Sequence, residues 1–244
     1  MARRDPQLQL SLPAPRGWGG RRRGAGRKPG PHPVLSHAPR RRFSQPLPAH
    51  VTLRLRRGLP SLRTVRIVRE IECTFAKGCA RPGFRLVHYS LLGNHAHLIV
   101  EARDAVCLGR GMMAIGSRLA RAVNRVAGQS GRVFDDRYHS RLLRTPREVR
   151  AALRYVLLNA RHHAAGLRRR MTMTMTKARA GARTAPLDPA SSAQWFDGWR
   201  RLPADVAERR EGPPGPRPVA RARTWLLTVG WRRHGLLDPA DVPG

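Results

Sequence analysis

Between residues 50 and 166 the apolar residues switch repeatedly between a period of two and a period of about 3.6, and few folds accept that order. In "HVTLRLR" (50–56) Val51, Leu53 and Leu55 alternate with His50, Thr52, Arg54 and Arg56, which predicts a strand with one buried face. In "SLRTVRIVREIECTFAKGCA" Leu62, Val65, Val68, Ile71 (or Cys73) and Phe75 recur at helical spacing, with Ser61 as the expected N-cap. "FRLVHYSLLG" and "HAHLIVEA" predict two strands joined at Gly93-Asn94. "LGRGMMAIGSRLARAVNRVAG" predicts a helix with Met112, Ile115, Leu119, Val123 and Val126 as its stripe and Gly128 as its stop. "RVFDDRYHSRLLR" reads as extended. "TPREVRAALRYVLLNARHHAAG" opens with Thr145, Pro146 and Glu148, the residues of a capping box. The order β-α-β-β-α-β-α begins as a split βαβ. It predicts an α+β domain, a ferredoxin-like or RRM-like antiparallel sheet with helices on one face and "HAHLIVEA" central in it.

The flanks read differently. Residues 1–48 are rich in Arg, Gly and Pro and predict a disordered basic arm, with Arg21, Arg22, Arg23, Arg27 and Lys28 free to neutralise phosphates. Residues 49–166 form the expected domain. Residues 167–244 read as a linker and an irregular C-terminal extension with short helical segments, in which Trp225 and Trp231 either pack back on the core or stack on bases. Lys and Arg total 48 against 15 Asp and Glu, a formal net charge of +33 over 244 residues. Such a field attracts a polyanion, usually nucleic acid. Phosphate contacts are expected from Arg118, Arg121 and Arg125 on the second helix and from Arg137, Arg141 and Arg144 near the last strand. Cys73, Cys79 and Cys107 have neither disulfide-framework nor zinc-site spacing. With no 18-residue apolar run and no signal-peptide core, the expected setting is cytoplasmic, at the nucleoid when DNA is bound, with no membrane partner.

His95 and His97 are two apart on a strand, so their imidazoles share a face. Tyr155 and Asn159 are four apart on a helix and share a face too. If that helix crosses the histidine strand, one site would combine two imidazoles, a carboxamide and a phenol. Imidazole and carboxamide donors can hold a divalent metal with open positions. A metal polarises a phosphoryl oxygen, and the phenol can then attack phosphorus and form a phosphotyrosine. Tyr138 and Tyr89 are rival phenols without the helical Tyr-x-x-x-Asn context.

These stretches resemble a known family. "HYSLLGNHAHLIVEA" resembles the HUH motif of single-tyrosine transposases, "RYVLLNARHHA" the tyrosine helix of their REP-associated branch, and "GRVFDDRYHSRLL" the aromatic, basic strand between them. The resemblance spans about residues 48–166. It implies His95 and His97 as metal ligands, Tyr155 as nucleophile and Asn159 as a metal-site or orienting residue. It also implies Mg²⁺ or Mn²⁺ as cofactor and single-stranded or hairpin DNA as partner, with the tyrosine acting within one chain or across a homodimer. The pattern departs at Gly93, where the family often has Pro, at small Ala96, and at Ala160, where a missing Pro would let the helix run on through His162 and His163. The leading expectation is a metal-dependent transposase that nicks and transfers DNA strands. A non-catalytic DNA-binding protein on the same fold and an RNA-binding module are the alternatives, the latter disfavoured by the lack of an aromatic RNP pattern.

Overall fold

A computed structural model describes residues 42–159, 187–201 and 216–241. The expected arm residues Arg21, Arg22, Arg23, Arg27 and Lys28, and His162 and His163, lie outside them. The elements run β1 (Leu47–Arg54), α1 (Val65–Ala76), β2 (Ala80–Arg81), β3 (Phe84–Leu91), β4 (His95–Ala102), α2 (Ala105–Ala127), β5 (His139–Leu142) and α3 (Pro146–Leu157). All pairings are antiparallel, in the order β2-β3-β4-β1-β5. Leaving aside the short edge strand β2, this is the split βαβ order expected from the sequence, and β4, the histidine strand, is central. Strand β1 starts at Leu47, just ahead of the boundary placed at 49. Of the extended stretch around residue 138, only His139–Leu142 pairs as a strand.

The two faces of the sheet are covered by different layers. Ala49, Val51 and Leu53 of β1, Leu55 just beyond it, and Ala96, Leu98, Val100 and Ala102 of β4 share one core with α1 and α2. Ile99 of β4 and Val87 of β3 belong to a second core, with Val149, Leu153, Val156 and Leu157 of α3. Alternation along β4 therefore sends Ala96 and Leu98 to one layer and His97 and Ile99 to the other. The two crossover helices lie on one face, as expected. The third helix closes the other, and that places it over the histidines.

Local signals explain most boundaries. Thr145 accepts from the amide of Glu148, whose carboxylate accepts from the amide of Thr145, completing the capping box. Asp104 caps α2, and Gly128 ends it in the left-handed conformation. In α1 the buried stripe is Ile67, Ile71 and Phe75, while Val65 is exposed, and the N-cap position is Thr64 rather than Ser61. Ile67, Ile71 and Phe75 follow one another at a spacing of four on the side of α1 that packs into the core shared with α2. Leu92-Gly93-Asn94 makes the β3–β4 turn without positive φ at Gly93 or Asn94.

The C-terminal segments finish the second core. Phe196, Trp199, Leu227, Trp231 and Leu237 pack with α3. Trp231 is buried and Trp225 is half exposed, with the Arg233 guanidinium 5.0 Å from its ring. Glu101 of β4 accepts from the amides of Arg223 and Thr224 and from the Thr224 hydroxyl, at 2.7–3.0 Å. Among the described residues no helix is long and apolar enough to cross a membrane.

Candidate active site

Strand register builds the site. Residues directly opposite across antiparallel strands point to the same side of the sheet. On the α3 side, Ser90 of β3 faces His97 of β4, His97 faces Thr52 of β1, and Thr52 faces His139 of β5. In the adjacent row His88, Ile99, His50 and Arg141 follow one another across the same four strands. His95 stands one step nearer the turn, opposite Arg54.

The histidines touch. The rings of His95 and His97 meet edge to face, with centroids 4.9 Å apart. Nδ1 of His95 donates to Oδ1 of Asn94 at 2.8 Å. Nδ1 of His97 lies 3.1 Å from Nε2 of His50 and 3.1 Å from Oγ1 of Thr52. Burial, with His139 and Arg141 nearby, pushes the His50 imidazole down from 6.5 to about 4, so it is neutral at neutral pH.

Helix α3 brings Tyr155 onto this cluster. Its ring lies 5.1 Å from that of His97 and 5.8 Å from that of His50, both edge-on. Beside it opens a cavity of about 540 Å³ lined by His50, Arg141, Leu143, Arg147, Ala152 and Tyr155, among others. The rival phenols lie elsewhere. Tyr89 is fully buried in the α1–α2 core and donates to Glu72 at 3.0 Å, and Tyr138 packs on that same core.

Asn159 is fully buried, and neither amide atom has a hydrogen-bond partner among the described residues. It stands just past α3, which is capped at Leu158, and is itself helical, while the continuation expected through His162 and His163 lies outside the described residues. The Ser90 hydroxyl, across the strand from His97, is likewise buried without a partner among the described residues. A buried carboxamide without a partner is costly unless something else reaches it. A carboxamide oxygen is a donor that a hard cation accepts. Among the described residues no group of three or more His, Cys, Asp or Glu side chains could hold a metal.

The expected basic residues divide between the faces. Arg141 lines the Tyr155 cavity and pairs with Glu148 at 2.8 Å. Arg137 and Arg144 are exposed on either side of β5. Arg118, Arg121 and Arg125 are far from Tyr155, across the sheet, where with Lys77 they line a separate cavity of about 390 Å³ between α1 and α2. Arg125 is ion-paired with Glu70 there. Sequence reasoning missed His50, Thr52 and Ser90. Their only signal was a polar residue at each outward position of an alternating strand, and every half-buried strand carries that signal.

No protein-family model matches the sequence, and no curated protein matches it. Among solved structures, the chain is similar to a REP-associated tyrosine transposase bound to a REP hairpin, with a TM-score of 0.41 and 17% identity over 53% of this chain and 74% of the other. It is also similar to a candidate transposase from Deinococcus radiodurans R1, with a TM-score of 0.35 and 11% identity over 55% of this chain and 95% of the other.

Proposed function

We propose that the chain is a transposase-type enzyme that cuts and rejoins single-stranded or hairpin DNA through Tyr155, with a divalent metal, Mg²⁺ or Mn²⁺, held by His95, His97 and Asn159. One observation carries the reading: the Tyr155 ring sits edge-on to His97, 5.1 Å away, at the rim of a cavity that Arg141 also lines. A phenol, the His50 imidazole and two guanidinium groups at one cavity, with the His97 ring against the phenol, suit phosphoryl transfer. The net charge of +33 supports a polyanionic partner such as DNA.

In this reading Arg141 draws a DNA phosphate into the cavity. Arg118, Arg121 and Arg125 meet phosphates on the other face, and Arg137 and Arg144 meet them beside β5. Oη of Tyr155 attacks the phosphorus. The new O–P bond forms as the P–O3′ bond breaks, the phenol proton is lost, and the departing oxygen gains one as a 3′-OH. The 5′ end stays on Tyr155 as a phosphotyrosine, and later attack by a 3′-OH rejoins a strand and frees the phenol, without ATP. A metal bound here would polarise the phosphoryl oxygen and align the phosphate for in-line attack.

A non-catalytic DNA-binding protein on the same fold is the second reading. The RNA-module reading loses ground, because α3 covers Val87 and Ile99 on the sheet face opposite the crossover helices, which such a module would use, and that face shows His rather than stacking aromatics. The test is a covalent-adduct assay: labelled hairpin and single-stranded DNA, Mn²⁺ or Mg²⁺, and a denaturing gel beside Tyr155→Phe. A metal-dependent adduct absent from the variant supports the proposal. No adduct despite salt-sensitive binding leaves the DNA-binding protein, and an adduct persisting in the variant moves the nucleophile.

A further inference from the structure

We infer that His50 is a positioning residue that sets the proton on His97 and so decides which edge of that ring can ligate. The inference rests on the reading of His97 as a metal ligand and adds a residue that no motif names.

The argument starts at Nδ1 of His97, which has two partners at the same distance of 3.1 Å: Nε2 of His50 and Oγ1 of Thr52. They are not equivalent. A hydroxyl rotates and can donate or accept, so Thr52 satisfies either tautomer of His97. A ring nitrogen of neutral imidazole has one role at a time. If Nε2 of His50 carries a proton it donates to Nδ1 of His97, and His97 must carry its own proton on Nε2. If it carries none it accepts, and His97 holds its proton on Nδ1 with a lone pair on Nε2. Only the second setting can ligate a metal through Nε2, the edge turned away from β1. His95 already follows this pattern, its Nδ1 donating to Asn94. Histidine ligands in general need such an outer partner to fix tautomer and ring orientation.

His50 is held for this task. It sits on β1 diagonally across from His97, and its ring packs against both that of His97, at 5.1 Å, and that of Tyr155, at 5.8 Å. The same ring therefore touches the proposed ligand and the proposed nucleophile. Sheet register fixes its distance from the one, and α3 packing fixes its distance from the other.

The test uses the full-length protein. Imidazole nitrogen–proton correlation spectra, recorded without metal, read the tautomer of His97 directly, and Mn²⁺ titration followed by electron paramagnetic resonance reads affinity. In wild type His97 carries its proton on Nδ1. In His50→Ala the two tautomers mix, and Mn²⁺ binding weakens about tenfold. His50→Gln, whose amide oxygen can accept from Nδ1, restores both, which recovery of packing alone would not do. Unchanged tautomer and affinity in His50→Ala, or no restoration by His50→Gln, overturns the inference. If wild type binds no Mn²⁺ yet the His97 tautomer still responds to His50, the metal reading falls while the positioning of His97 stands.

Discussion

The Tyr155 ring meets His97 edge-on at 5.1 Å, and the two residues come from elements that are separated in sequence by a whole crossover helix and a strand. The two ring planes are inclined at 76°. Removing only the hydroxyl, as in Tyr155→Phe, should keep the packing and cost about 1 kcal/mol or less. DNA affinity should stay close to wild type while the covalent adduct disappears. Urea unfolding and binding isotherms for the two proteins check the first two, and the denaturing gel checks the third.

Glu101 ties the C-terminal extension to the sheet. Its buried carboxylate accepts from two successive amides and a hydroxyl at residues 223 and 224. Charge-assisted bonds of this kind are stronger than neutral ones. Glu101→Ala leaves those donors without their acceptor and should destabilise the protein by about 3 kcal/mol, while Glu101→Gln should lose less. Limited proteolysis should cut first near residues 216–224 in the alanine variant. Equal protection of that segment in variant and wild type would refute the role.

Acid should loosen the same layer. His88 is buried, with its Nδ1 3.2 Å from Oγ of Ser192 and its ring against Phe196. Burial pushes its imidazole down from 6.5 to about 4, with Asp197 opposing and Arg217 assisting. A depressed folded value means that the unfolded chain binds the proton first. Stability is therefore fully present above about pH 6.5 and is lost as pH falls toward 4, by about 3 kcal/mol for this group. His50 adds to the same window. Denaturation midpoints between pH 7 and 4 should fall less steeply in His88→Gln than in wild type, and parallel curves would exclude His88 as a source.

Arg141 is the basic residue placed at the Tyr155 cavity, and its exposed pair with Glu148 contributes little by itself. Arg141→Ala should therefore leave stability within about 0.5 kcal/mol of wild type. It should reduce the slope of log affinity for single-stranded DNA against log salt by about 0.7, one phosphate's worth. An unchanged slope would mean that the strand avoids this cavity.

The sequence by itself determined the order of elements, the capping box at Thr145, the central place of the histidine strand and the shared face of His95 and His97. All of these are local matters, set by side-chain period, caps and turns, which act over a few residues. It misjudged the stripe of α1, because Val65, Val68 and Ile67 compete at similar spacing and only contact with α2 selects among them. Tertiary structure alone decided that α3 covers the α3-side row of the sheet. It also decided that Tyr155 lies against His97 while Tyr89 bonds Glu72 on the other side, and that Arg118, Arg121 and Arg125 are separated from Arg141 by the sheet. His50, Thr52 and Ser90 became visible as neighbours of His97 only through strand register. Pairing partners across β3, β4 and β1 are set by non-local hydrogen bonding, and no period within a single strand records them.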